Sequence, residues 1–571
     1  MSAGEANGRT LAATNADVLA AAVLRHGCSH VFGLMGDGNM RLFTALDQAG
    51  VELVEVRHEG AAVAMAEGYS WAAKRPGVCS VTHGPGLTQV ATSLVVAARN
   101  RSKLVLVAAE TPAGYAGAQD YDQEAFIAAC EAPYRRMAAG DDPGAIFDEV
   151  MALAERRSGP VVLAVPADLL TAPAASAGLG LRPAAPVAAS DPGVSSPGPE
   201  EDEAAAQLLT DALARSARPV FVAGRGAMGG ASARLLMSIA GHYGAALATT
   251  LPAKGLFDAH PFNLGVCGGL AHPAAERILR AADLVVAVGA SMGRSTTQSM
   301  RLFERARVLR LSRDRAAEPW PAGLTPVVGD AEGTLARVAM HTAGQAASAP
   351  PWFEPPGSPA QCWSEDLAGY APPIPVGTVD PRRVLAEISP MIPDDAIVVI
   401  SNGHCSGFAG AFIAAPTAGR WFTAQGFGSI GQAFTTAIGV ALGAPGRKVV
   451  VFEGDAAFMM HAQEIDTAAR AGADITLFIL NDQALGTEYQ RLSAHDGERE
   501  AALAIVPPPD LAALARALGA RGVTLDGGEA RQAAQDALRP GLSVVDVKTA
   551  RTVLSRHMRL PVDRRQLAAN S

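Results

Sequence analysis

Long apolar runs, clustered cysteines and basic tracts are all missing from this chain of 571 residues. No window reaches the roughly 18 uninterrupted apolar residues that a membrane-spanning helix needs. The N-terminal stretch MSAGEANGRTLAATNADVLAAAVLRHG has no basic start followed by a continuous apolar core, so the expected residence is cytoplasmic. Six cysteines (Cys28, Cys79, Cys130, Cys267, Cys362 and Cys405) are scattered with no CxxC pair, which argues against a disulfide framework or structural zinc and reads as reduced thiols. A net charge of -9 with no basic block argues against nucleic acid or an anionic membrane as the main partner, leaving small molecules.

What is present is a composition of 49% apolar and 18% charged residues, rich in Ala, Gly and Val, in a chain long enough for about three or four ordinary domains. Strand-like runs alternate with Ala-rich helical runs, the signature of parallel sheets covered by helices. The alternation breaks twice, at 172–200 and at 344–376, where Pro, Ala, Ser and Gly dominate and interdomain linkers are expected. The fold class is therefore α/β, with three doubly wound parallel-sheet domains over residues 1–175, 200–343 and 377–571. No short repeat period is visible, although the first and last domains share the theme of strand, acidic turn and Ala-rich helix.

Two strands in the third domain stop abruptly at acidic residues. KVVVFEGD ends at Asp455, HAQEIDTAARAGA carries a helical pattern, and DITLFILND ends at Asn481 and Asp482. A βαβ unit brings the ends of its parallel strands to one edge of the sheet, where open α/β folds bind ligands. Asp455 and Asp482 are thus expected side by side. Two hard oxygen ligands with loop carbonyls nearby suit Mg²⁺, which shares its shell with substrate phosphates. The small Gly454, Ala456 and Ala457 let peptide N–H groups and a helix N-terminus approach those phosphates. The alternative is that Asp455 is a helix cap and Asn481-Asp482 a turn.

GDA, a helix, then LND at this separation resembles the signature of the thiamine diphosphate-dependent acetolactate synthase and pyruvate decarboxylase superfamily, usually written GDG or GDA followed by NN. The resemblance implies that Asp455 and Asp482 are side-chain ligands of Mg²⁺ and Ala484 a main-chain ligand. The chain departs from the pattern in having Asp482 where the ligand is usually Asn. A second GDG, at Gly36 to Gly38, has Ala64 inside a helical run twenty-seven residues after Asp37, so it is a turn without a second ligand.

RHEGAAVAMAEGYS followed by VTHGPG is similar to the matching region of acetolactate synthases. The resemblance makes the first domain the pyrimidine-binding one, with Glu59 as the catalytic glutamate that hydrogen-bonds the N1′ ring nitrogen of the cofactor. As an isolated feature, a Glu in a first helical turn is ordinary dipole complementation. Arg57 and His58 read as surface or supporting groups and Glu67 as structural. In GFGSIGQAFTTAIG, Ile430 takes the position of the apolar residue that wedges beneath the cofactor, and the Gly428 carbonyl that of the acceptor for its 4′-amino group; the segment is also a Gly-rich strand-to-helix turn.

Signals for the reaction are mixed. Gln123-Glu124 resembles the QE pair of acetolactate synthases, whose glutamine faces the substrate. The loop NDQALGTEYQRL instead lacks the Met and Trp of the biosynthetic enzymes and puts Glu488 where pyruvate-decarboxylase-type enzymes carry a catalytic Glu. The His-His pair of those decarboxylases is absent. His404 in SNGHCSG is counted with the cofactor-binding residues, and His83 as a candidate to line the pocket. In the middle domain Gly224, Gly226 and Gly229 have GxGxxG spacing, but the next strand ends in Thr249 and Thr250, so NAD is not expected. Acetolactate synthases hold FAD in this domain; an empty site is the favoured reading here. The expected function is a thiamine diphosphate- and Mg²⁺-dependent carboligase acting on a 2-oxo acid and a carbonyl acceptor, as a homodimer or homotetramer with active sites at the subunit interface. The alternatives are a simple 2-oxo acid decarboxylase and a non-catalytic nucleotide-binding protein on the same scaffold.

Overall fold

The computed structural model describes residues 13–112, 114–115, 117–174, 197–313, 323–343, 349–357, 359–527 and 530–559. Most of the first expected linker, 175–196, lies outside the described residues, as does 344–348 of the second.

Runs such as VVVFEG and ITLFILN become strands because β-branched and aromatic residues suit a pleat covered on both faces; the second of these is buried at every position. Three six-stranded sheets result, within 30–166, 219–328 and 397–548, and every pairing between their strands is parallel. Numbered along the chain within each sheet, the first and third sheets both run 2-1-3-4-6-5, whereas the central one runs 6-5-4-1-2-3. The central order is that of dinucleotide-binding folds. The shared order of the outer sheets gives topological substance to the theme their sequences have in common.

The outer two domains touch through helices Glu59–Ala73 and Ala433–Gly443. Their backbones meet directly: a Cβ on Gly68 would sit 2.0 Å from the Thr436 carbonyl oxygen, and one on Gly439 1.8 Å from that of Met65. One apolar core then runs from Phe32 and Val54 of the first sheet through this helix pair to Val449 and Ile479 of the third.

The second expected linker is not wholly linker. Pro359–Gly369 is a helix, with Trp363 and Asp366 buried, and Asp366 is ion-paired to Arg382, Arg556 and Arg559. Proline at the first helical position is well tolerated, and the stretch AQCWSEDLAG behind it carries one apolar stripe and one acidic stripe that only the tertiary partners satisfy.

His272 caps helix Pro273–Ala281 by accepting from the Ala275 N–H at Nδ1, 3.1 Å, a bond that the ring makes only while that nitrogen is unprotonated. Burial, then the charges of Arg556 and Arg277, lower its pKa to about 4. The unfolded chain protonates it near 6.5, so the stability it contributes is complete above that pH and is lost as pH falls toward 4. His272→Asn keeps the cap and removes the proton. In urea unfolding series, the variant is expected to lose stability less steeply than the parent between pH 6.5 and 4, by about 1 kcal/mol per pH unit.

Candidate active site

Strands Val449–Gly454 and Ile475–Asn481 are neighbours in register, Gly454 opposite Leu480. Asp455 and Asp482 are each the first residue past their strand, and both line one cleft at that edge. Asp455 opens the short helix Asp455–Met459; it is buried, and its Oδ2 has no hydrogen-bond partner. Burial, followed by the charge of Asp482, pushes its carboxyl up to about 8.

The loop after Asn481 is tightly held. Asn481 donates to Asp546 (2.7 Å), Gln483 adopts the left-handed region with φ +61, and the Ala484 N–H donates to Asp482 Oδ1 at 3.2 Å. The same cleft is lined by Ile430, Gly454, Ala456, Ala457, Ala484, His404 and Glu488. A Cβ on Gly486 would lie 2.6 Å from Asp482 Oδ2, so only glycine leaves that carboxylate its position.

His404 opens helix His404–Phe412, buried at the wall of the cleft. Its Nε2 accepts from the Ser555 N–H at 3.1 Å, which puts the proton of the neutral ring on Nδ1, 3.8 Å from Asp482 Oδ2. Gly428, in the left-handed region at φ +81, already has its carbonyl engaged by the Asn402 side-chain amide. That carbonyl oxygen keeps a second lone pair with which it can accept another donor.

The remaining candidates sit elsewhere. Glu59 opens helix Glu59–Ala73 and is half-buried, with no hydrogen bond or ion pair to its carboxylate among the described residues. It does not line the cleft around Asp455. Gln123 opens helix Gln123–Ala129, buried, with Oε1 unpartnered; His83 is buried with Nδ1 unpartnered. Glu59 and His83 follow the ends of strands Glu52–Glu55 and Gly77–Val81, so they share the C-terminal edge of the first sheet. The second GDG stands at the same edge, with Asp37 accepting from the Thr82 hydroxyl at 3.2 Å.

The turn that carries Glu59 is anchored from the third domain. Glu464, buried, accepts from the Arg57 N–H with both carboxylate oxygens, at 3.0 and 3.2 Å, while Arg57 itself pairs with Asp466. Arg57 is thus a supporting group, and Glu67 is a buried structural one, accepting from Asn100 and Ser102. Cleft residues that the motifs did not point to are Asn402, Cys405, Phe408, Leu485, Thr487 and Thr549. Thr549 was findable, since it follows strand Ser543–Lys548 at the same edge.

A divalent cation fits this cleft. Two carboxylates line it, one of them buried with an orphaned oxygen and driven to hold a proton, and a metal ion would supply the partner that the Asp455 oxygen lacks. Among the described residues, no group of three or more His, Cys, Asp and Glu side chains could hold a metal; what the cleft offers a hard cation is carboxylate oxygen from Asp455 and Asp482. In the central domain, Gly224 and Gly226 are accounted for by close packing: a Cβ on either would lie within 3 Å of Gly289 backbone. Among the described residues no helix is long and apolar enough to cross a membrane.

Comparison with known proteins follows the same division. Three family models of thiamine pyrophosphate (thiamine diphosphate) enzymes match: the N-terminal TPP binding domain over residues 13–130, the central domain over 206–338 and the C-terminal TPP binding domain over 401–547. The acetolactate synthase large subunit of Parasynechococcus marenigrum is 28% identical over 558 residues, covering 94% of this chain and 88% of the relative. A probable 2-ketoarginine decarboxylase of Pseudomonas aeruginosa is 29% identical over 523 residues, covering 89% of this chain and 88% of its own. A putative acetolactate synthase large subunit of Mycobacterium tuberculosis is 29% identical over 540 residues, covering 90% and 93%. With a thiamine pyrophosphate enzyme model matched on each of the three domains in order and relatives aligned along most of its length, the chain belongs to the thiamine pyrophosphate-dependent enzymes.

Proposed function

We propose that this enzyme is a Mg²⁺-requiring carboligase of acetolactate synthase type, which decarboxylates a 2-oxo acid such as pyruvate and joins the remaining acyl unit to a carbonyl acceptor. The observation that carries the reading is the cleft in which the orphaned Asp455 oxygen meets Asp482. Asp455, Asp482 and the Ala484 carbonyl hold the cation, Gly454, Ala456, Ala457 and His404 receive the diphosphate, and Ile430 and Gly428 support the ring system. When bound, the coenzyme supplies the electron sink that lets a 2-oxo acid lose CO₂.

Glu59 exchanges a proton with the aminopyrimidine ring nitrogen, and Gln123 faces the substrate. Both stand away from the cleft of their own chain, which supports a homodimer as the minimum active unit, or a tetramer built from it, with the site completed by the partner's first domain. FAD in the central domain is the less favoured reading. Cytoplasmic residence is supported by six free cysteines.

A second reading, a decarboxylase that releases the aldehyde, is favoured by Glu488. Its carboxylate is exposed on the cleft wall, with no hydrogen bond or ion pair among the described residues, where it can deliver a proton. Product analysis with pyruvate and a panel of other 2-oxo acid donors, each with aldehyde or oxo-acid acceptors, separates the two: a coupled hydroxyketone supports the ligase, free aldehyde alone the decarboxylase. Glu488→Gln is expected to slow aldehyde release by about 100-fold and spare coupling. An unchanged ratio of the two products removes Glu488 from that role.

A further inference from the structure

We propose that Arg551 is a positioning residue for the metal loop, and that its charge offsets the extra carboxylate this chain carries at Asp482. The proposal rests on the reading of Asp482 as a metal ligand. Arg551 itself lies beyond residues 401–547, the segment matched by the C-terminal family model.

The geometry is direct. The last strand leaves the sheet alongside the loop, with the Thr549 N–H donating to the Asn481 carbonyl at 2.9 Å. Two residues on, Arg551 donates to the main-chain carbonyl of Asp482 twice, from Nε at 2.9 Å and from Nη2 at 2.6 Å. The guanidinium lies over the Tyr489 ring, 5.1 Å from its centroid, and the Arg551 carbonyl accepts from the buried Gln490 side chain at 2.7 Å. Side chain and backbone of Arg551 are therefore both fixed.

The consequence falls on Asp482. Its carbonyl is drawn to Arg551 while its carboxylate stays in the cleft beside Asp455, and the left-handed turn at Gln483 lets the chain do both. Two carboxylates at one edge repel, and the loop would relieve that repulsion by turning its peptide and swinging Asp482 out. Two charge-assisted bonds to one carbonyl oppose that rotation. The guanidinium is always charged, so it also brings a positive charge to a loop with one more negative charge than the usual Asn would give.

The test uses the full-length enzyme. Arg551→Met and Arg551→Lys are made alone and together with Asp482→Asn, and equilibrium dialysis measures the Mg²⁺ concentration that half-saturates retention of thiamine diphosphate. Thermal unfolding of each metal-free protein is recorded alongside. Arg551→Met is expected to raise the half-saturating Mg²⁺ about 10-fold, and Arg551→Lys, which keeps the charge and one bond, about 3-fold. In the Asp482→Asn background the Met effect is expected to shrink to about 3-fold or less, because the repulsion is gone. Equal half-saturation in parent and Arg551→Lys overturns the proposal even if the Met variant does not fold. An undiminished effect in the Asn background overturns the charge offset. A parent enzyme that retains the coenzyme equally well without any divalent ion overturns the metal reading itself, and the role of Arg551 with it.

Discussion

Glu59→Gln is expected to lower turnover by about 10²- to 10⁴-fold while leaving coenzyme affinity within a few-fold of the parent. The amide occupies the same space at the start of helix Glu59–Ala73, and the Arg57 N–H bonds to Glu464 that anchor the turn do not involve its side chain. What the amide cannot do is hold and return a proton. Steady-state kinetics paired with equilibrium dialysis of thiamine diphosphate reads both quantities. Turnover equal to the parent's would remove Glu59 from the reaction.

Asp455→Asn is expected to act in opposite directions on the two states of the protein. Without metal, the buried carboxylate beside Asp482 has an oxygen with no partner, so the neutral amide stabilises the fold and its melting temperature rises by a few degrees. With metal, a charged ligand is lost, and the Mg²⁺ needed to retain the coenzyme rises by at least about 100-fold. Thermal unfolding with and without Mg²⁺ and thiamine diphosphate reveals the crossover: the parent gains stability from the ligands and the variant does not. A purely structural Asp455 would leave the stability gained from Mg²⁺ and thiamine diphosphate the same in parent and variant.

The parts of this site that were readable before the structure are those written in contiguous residues at strand ends. KVVVFEGD and ITLFILND each announce their own strand, and parallel geometry alone puts Asp455 beside Asp482. The identical strand order of the outer sheets was only hinted at, because topology is a property of pairings between segments far apart. Contacts made across long separations left no local trace. Arg551 is 69 residues from the carbonyl it holds, and Ser555 is 151 from His404. Glu464 sits 407 residues from Arg57.

The misjudged stretch, the helix Pro359–Gly369, failed for the same reason. Flanked by prolines, WSEDLAG looks like linker until Arg382, Arg556 and Arg559 are seen to converge on Asp366. Gly428 is a subtler case. Its position in the Gly-rich segment was readable, but the Asn402 amide donated to its carbonyl comes from a different strand end. Thus the motif residues that line the cleft were legible in the sequence, and the contacts that hold them were not, because those arrive from the C-terminal segment and the neighbouring domain.

The most direct measurement of the account is equilibrium dialysis of the purified enzyme against thiamine diphosphate, with Mg²⁺ and then with EDTA. Asp455 and Asp482 as cation ligands predict one coenzyme retained per chain with Mg²⁺ and its release on chelation. Retention that is indifferent to EDTA, or no retention in either condition, would contradict it.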